Sequence, residues 1–289
     1  MKPAKFDYHS PNNLTDALNL IEEAGFDGKI IAGGQSLVPI MNMRLAAPEC
    51  LIDINGLNEL DFIEGEGDML KIGAMTRQSR VETSSLVKEK CGLLSEAIPF
   101  IGHVQTRNRG TFGGSIVHAD PSAEIPLSLI ALGGSLKIAS IDDTREVNAE
   151  DFFITYLTTD IMPAEILTEI HIPSIAERSG YAFTEVARRH GDFALVAAAC
   201  QLTLDDMDKV TSARLALGGV EAVPLLIKDL DEILIGEKLT DALLKKVTEV
   251  VEECVEPESD LHASAAYRYQ LAKVLASRAL KQAYQRARG

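Results

Sequence analysis

Two short glycine segments constrain this chain more than anything else in it. The first is Ala32-Gly33-Gly34-Gln35-Ser36, and the second is Gly110-Thr111-Phe112-Gly113-Gly114-Ser115. Each adjoins stretches patterned as strand or helix rather than linker. Glycine lacks a Cβ, so such a segment can take positive φ and bring backbone N–H groups within hydrogen-bonding reach of a phosphate. Ser36, Thr111 and Ser115 add hydroxyl donors. Two such loops suit one anionic ligand gripped from two sides. A tight turn asks for the same residues, and Gly133-Gly134 and Gly218-Gly219 read as no more than that.

The elements around these segments read as α+β. A short strand at Phe6–Tyr8 is followed by a helix from Leu14, with Asn13 as N-cap and Gly25 as stop. Lys29–Ala32 reads as a buried strand running into the first glycine loop, and Leu37–Met43 as a helical turn whose N-terminus faces whatever the loop holds. A strand at Leu51–Ile54 comes next. Then the pattern turns antiparallel, with Leu60–Ile63 and Leu70–Gly73 joined across Gly65–Asp68. No crossover helix fits so short a connection, so this is not a Rossmann unit, and Gly65-x-Gly67 lacks the third glycine of a dinucleotide fingerprint.

Thr76 reads as the N-cap of a helix through Val81, and Leu93–Ile101 as a second helix. Gln105–Arg109 is a polar, basic stretch that runs into the second glycine segment. Asp120-Pro121 reads as a helix start, with Asp120 at the N-cap and Pro121 at N1 of an apolar helix over Ile125–Leu132 that Gly133-Gly134 closes. Ser135–Ala139 and Arg145–Asn148 form a hairpin across Asp142-Asp143, and Glu165–Ile172 is a closing strand. A domain boundary falls in Ser174–Ser179. Beyond it, Tyr181–Arg188, Ala199–Leu204 and Val210–Gly218 read as a three-stranded antiparallel sheet, followed by helices over Leu225–Leu234, Ala242–Cys254 and Ala265–Gln285.

With 28 Lys and Arg against 43 Asp and Glu, the net charge is −15, which argues against nucleic acid and anionic membrane surfaces as partners. Cys50, Cys91, Cys200 and Cys254 lie far apart without a C-x-x-C pair, and the six histidines show no metal spacing. No metal site is therefore expected, and the cysteines read as buried thiols of a reducing compartment. No run is long and apolar enough for a membrane span, and no secretory h-region follows Met1–Tyr8, so a cytoplasmic location is expected.

Ile31–Arg44 (I-A-G-G-Q-S-L-V-P-I-M-N-M-R) and Gln105–Glu124 (Q-T-R-N-R-G-T-F-G-G-S-I-V-H-A-D-P-S-A-E) closely resemble the two FAD-binding loops of the flavoprotein (medium) subunits of molybdenum hydroxylases, the carbon monoxide dehydrogenase and xanthine dehydrogenase type. Arg188–Ala194 and the Tyr267–Leu280 helix extend the resemblance over the whole chain. It implies a vanillyl-alcohol-oxidase (PCMH)-type FAD-binding domain over 1–175, made of α+β subdomains at about 1–55 and 56–175, and a C-terminal domain over 176–289. Noncovalent FAD is implied as the only redox centre of this chain. Molybdopterin and [2Fe–2S] clusters are implied on partner large and small subunits, in a dimer of heterotrimers that passes electrons to NAD or a quinone.

Carried over by motif, Ala32, Gly33, Gly34, Gln35 and Ser36 hold the pyrophosphate, joined by Thr111, Gly113, Gly114 and Ser115. Asp120 is a polar contact near the cofactor, and Leu167 lies in a bordering strand. Phe193 stands where an aromatic covers the flavin ring, with an ordinary core aromatic as the alternative. Ser115 replaces an Asn common in the family but keeps a donor, Gln35 is a common variant, and the cysteine-bearing insertion of some members is absent. No catalytic acid or base is expected in the chain. A free-standing flavin oxidoreductase of the same fold and a noncatalytic nucleotide-binding or assembly protein are the alternatives.

Overall fold

The computed structural model describes residues 1–289. The chain begins with three parallel strands in the order Asp7–His9, Cys50–Asp53, Gly28–Ile31. Helix Leu14–Ala24 covers them. Its apolar positions Ala17, Leu18 and Ile21 recur at helical spacing and pack on Ile52. Asn13 caps the helix by accepting from the Asp16 N–H at 2.8 Å, and Gly25 ends it at φ 53°. Gly28–Ile31 is only partly covered, not buried as its apolar residues suggest, because it lies at the sheet edge.

Next comes a five-stranded antiparallel sheet in the order Ile63–Glu66, Met69–Gly73, Ile166–Pro173, Ser135–Ala139, Thr144–Asn148. Its central strands alternate. Leu70, Ile72, Leu136, Ile138, Ile170 and Ile172 point into the main core, while Lys71, Lys137, Glu169 and His171 take the other face. Helices Gly92–Ala97, Phe112–His118 and Glu124–Leu132 fill the core side.

The third sheet is antiparallel, in the order Ser179–Val186, Val196–Leu204, Val210–Gly218, Leu225–Leu226. Val196–Leu204 (VAAACQLTL) is covered on both faces. Ala197 and Ala199 face the main core, which contains helix Glu124–Leu132, while Val196, Ala198, Cys200, Leu202 and Leu204 join the core beneath helices Asp241–Cys254 and Ala265–Ala287. Every residue of Glu124–Leu132 is buried, because sheets lie on both sides of it. This joins the second and third sheets through one helix.

Several local expectations are corrected. The hairpin turn is Gly67-Asp68, with Gly65 inside strand Ile63–Glu66, and Leu60 closes a 3-10 turn at Asn58–Leu60. Thr76 is not a cap. Its buried hydroxyl donates to the Phe62 carbonyl at 2.9 Å, and the helix starts at Gln78. Asp120 is not a cap either, because its Oδ1 accepts from Ser122 N in a turn, which delays the helix to Glu124. Leu93–Ile101 is split into Gly92–Ala97 and a 3-10 turn at Ile98–Phe100 that contains Pro99. Leu225–Leu226 pairs as a short fourth strand, leaving a helix only at Leu230–Leu234. Finally, the second glycine segment is not a loop: Phe112–His118 is a helix with Thr111 as its N-cap.

Candidate functional site

The first glycine segment leaves strand Gly28–Ile31 at its C-terminal end, beside the C-terminal end of its parallel neighbour Cys50–Asp53. Crevices outside the carboxyl ends of parallel strands are the usual ligand positions of open sheets. Here the crevice is a cleft of about 340 Å³ lined by Ile31, Ala32, Gly33, Gly34, Gln35, Val38, Pro39, Asp53, Asn55 and Arg109. Gly34 stands at φ 71°, a conformation that side chains rarely adopt. The backbone N–H groups of Gly33, Gly34, Gln35 and Ser36 make no hydrogen bond within the protein. Backbone donors seldom stay unpaired, so four in succession, three of them on residues that line the cleft, are a ready set for water or an anion.

The loop's shape is set from beneath. The Asn55 amide donates to the Ala32 carbonyl at 2.6 Å and to Asp53 Oδ1 at 2.6 Å. Asp53 Oδ2 accepts from the Tyr8 hydroxyl at 2.6 Å. Burial pushes the Asp53 carboxyl up, but these donations and the nearby Arg109 charge outweigh it and hold the group below its ordinary value. Arg77 then ties both glycine segments together, donating to Asn55 Oδ1 at 2.7 Å and to the Arg109 carbonyl at 2.5 Å. Gln35 donates back to the Gly33 carbonyl at 3.2 Å, so its amide closes the loop.

The second segment meets the first but offers fewer free donors. The N–H of Phe112 goes to Thr76 O, that of Gly113 to Ala74 O, and that of Gly114 to Thr111 Oγ1 at 3.1 Å. A Cβ on Gly113 would run into Ala74, so packing alone already requires glycine there. Gly114 faces the first loop, where its Cβ would stand 3.7 Å from that of Ala32. Thr111 is buried, while Ser115 and Asp120 are half-buried. Leu167 is sealed into the main core at 4% exposure, away from the cleft. Phe193 is 65% exposed in the irregular segment after Val186, which removes the core-aromatic alternative and leaves its ring free to cover a ligand.

The structure therefore gathers Ala32, Gly33, Gly34 and Gln35 around one cleft with Ser36 in the same loop, brings Gly114 up to Ala32 with Thr111 and Ser115 at the start of the same helix, and leaves Leu167 apart. Sequence reasoning missed Tyr8, Asp53, Asn55, Arg77 and Arg109. A signal existed for two of them, since Asp53 ends, and Asn55 closely follows, a strand parallel to the one that feeds the glycine loop. The residues fit a dinucleotide's diphosphate: free backbone donors, glycine clearance and one cation line a cleft open to solvent.

Comparison with known proteins agrees with this arrangement. Residues 4–175 match the family described as FAD binding domain in molybdopterin dehydrogenase, and residues 181–283 match the CO dehydrogenase flavoprotein C-terminal domain. The chain is 37% identical to the 6-hydroxypseudooxynicotine dehydrogenase complex subunit alpha of Paenarthrobacter nicotinovorans, covering 100% of this chain and 97% of the relative. It is 35% identical to the carbon monoxide dehydrogenase medium chain of Afipia carboxidovorans, with both chains covered in full. Among solved structures, a chain of the carbon monoxide dehydrogenase from Hydrogenophaga pseudoflava that lacks the Mo-pyranopterin moiety of the molybdenum cofactor superposes with a TM-score of 0.96. That match is at 34% identity and covers 99% of each chain. With relatives matched from end to end and an FAD-binding domain over more than half its length, the protein belongs to the family of FAD-binding medium subunits of molybdenum hydroxylases.

Proposed function

We propose that this chain carries one noncovalent FAD, takes electrons from a [2Fe–2S] subunit and passes them to NAD or a quinone-type acceptor, while a molybdopterin subunit oxidises the substrate. The observation that carries this reading is the run of four unpaired N–H groups from Gly33 to Ser36 in a cleft backed by Arg109. FAD supplies the redox chemistry when bound, by exchanging electrons singly or in pairs. The protein's residues bind and orient it. In this reading Gly33–Ser36 donate to the diphosphate, Ala32, Thr111, Gly114 and Ser115 complete the site around them, and Asp120 and Phe193 are assigned as contacts to the rest of the cofactor. Neither glycine segment contains a histidine or cysteine to attach the cofactor.

The domain division at 174–179, with an FAD domain over 1–175 and a C-terminal domain over 176–289, belongs to the same reading. So do a dimer of heterotrimers and a cytoplasmic location. No helix of the chain is long and apolar enough to cross a membrane. Support for a partner surface comes from the hairpin Phe153–Thr159, where Ile154, Tyr156 and Leu157 are exposed and Met162 follows. The Leu157 N–H donates to Ala119 O, which ties this hairpin to the end of the second glycine helix. Native mass spectrometry of the complex is the test. A molybdopterin protein and a small iron–sulfur protein should co-purify, with substrate-dependent dye reduction only when they are present. Substrate turnover by the isolated chain would overturn the subunit reading.

A further inference from the structure

We infer that Arg109 is the charged contact for the ligand's diphosphate in the Gly33–Ser36 cleft, and that Asn55 and Arg77 are the residues that position it. The inference rests on the FAD reading of that cleft and adds to it a residue outside both glycine pairs. A chain of net charge −15 repels a doubly anionic diphosphate at long range, so binding needs a local cation. Among the ten residues lining the cleft, Arg109 is the one cation and Asp53 the one anion.

Asp53 lies near Arg109 but makes no ion pair or hydrogen bond with it. Both its oxygens are occupied, one by the Tyr8 hydroxyl and the other by the Asn55 backbone N–H at 2.8 Å and amide at 2.6 Å. Arg109, in contrast, has its carbonyl held by Arg77 and its guanidinium engaged by no hydrogen bond or ion pair, and it borders the four free N–H groups. Arg77 spends its own guanidinium on Asn55 Oδ1 and Arg109 O. Asn55 passes that restraint to Ala32 at the root of the first loop. The path Ala32–Asn55–Arg77–Arg109 thus fixes the distance between the free donors and the free cation, and Gly33 packed on Arg109 O and the Gly110 Cα locks it. A free guanidinium beside unpaired N–H donors is suited to bidentate phosphate binding.

The test uses the full chain stripped of flavin, titrated with FAD and with riboflavin, which lacks the diphosphate. The ionic strengths are about 0.01 M and 1 M, where the screening length falls from roughly 30 to 3 Å. Loss of one charge-assisted hydrogen bond predicts that Arg109→Gln weakens FAD binding at low salt by roughly ten- to a hundredfold. The same variant should lose most of the salt dependence shown by the native chain. Arg109→Lys should keep that salt dependence, and Asn55→Ala, which leaves the Arg109 charge in place, should weaken FAD binding while keeping the salt dependence as well. Riboflavin should bind native and Arg109→Gln chains alike. If the native chain binds FAD and Arg109→Gln matches it within threefold or keeps its full salt dependence, the role of Arg109 is overturned while the FAD site stands. A native chain that binds no FAD at either ionic strength overturns the site reading itself.

Discussion

Gly33 stands with its α-carbon against the carbonyl oxygen of Arg109, where a Cβ would collide with the backbone. Through that contact the loop leaving the first parallel sheet is seated on the last turn before the second glycine pair. Two segments far apart in sequence become one wall of a cleft. Their contributions differ, because the first keeps its backbone donors free while the second has spent the N–H groups of Phe112, Gly113 and Gly114 on the protein.

Glycine substitutions should separate these roles. Gly33→Ala forces the loop off Arg109, and Gly34→Val puts a β-branched residue at φ 71° with Val38 Cγ2 3.1 Å from the new Cβ. Each should lower FAD affinity by about a hundredfold or more, the combined effect of lost donors and displaced loop. Gly67→Ala, in an open hairpin turn at φ 57°, should cost about 1 kcal/mol of stability and leave FAD binding unchanged. Gly113→Val should instead lower the melting temperature of the apoprotein, because its Cβ meets Ala74 in the core. FAD titration and thermal melts of the four variants distinguish the two outcomes.

One buried carboxyl, Glu124, and one half-buried carboxyl, Glu185, predict a pH dependence of stability. Burial raises Glu124 to about 7, and burial together with the charge of Glu124 raises Glu185 to about 8. In the unfolded chain both titrate near 4.3. Between about pH 4.5 and 8 the folded protein therefore holds protons that the unfolded chain has lost, so stability falls as pH rises through that window and levels off above it. Glu185→Gln should match the native protein near pH 4.5 and exceed it at pH 8. The gain should be on the order of 1–2 kcal/mol after allowance for the group's partial contact with solvent. Parallel stability curves for the two proteins would remove this explanation.

Thiol reactivity should follow burial. Cys91 and Cys200 are fully buried, which pushes their thiols up to about 12, whereas Cys50 and Cys254 are partly accessible. Alkylation of the native protein should label Cys50 and Cys254 first, and label Cys91 and Cys200 only on unfolding. Peptide mapping after timed alkylation reads this directly, and early labelling of Cys200 would contradict the packing of the third sheet.

Much of this fold could be read from residue patterns, and the failures have physical causes. Ser135–Ala139 and its hairpin partner were legible because alternation and the Asp142-Asp143 turn agree. Asn13 was legible because a cap acts within one turn of chain. Thr76 and Asp120 failed as caps because each has a competing local role, a buried hydroxyl bonded to Phe62 O and a turn closed on Ser122, that residue type alone does not reveal. The second glycine pair reads as a loop by composition. It is helical because Thr111 caps it, and its glycine at 113 serves close packing on Ala74 rather than a turn. The cleft's floor was hidden because Tyr8, Asp53, Asn55 and Arg77 come together only through sheet pairing and long-range hydrogen bonds.

The central claim is that the cleft at Gly33–Ser36 holds one FAD without a covalent bond. Acid precipitation of the purified chain, followed by flavin analysis of pellet and supernatant, tests it most directly. The account predicts one equivalent of FAD per chain, all in the supernatant. Flavin that stays with the pellet, or a chain that holds none and takes up none when FAD is supplied, would contradict it.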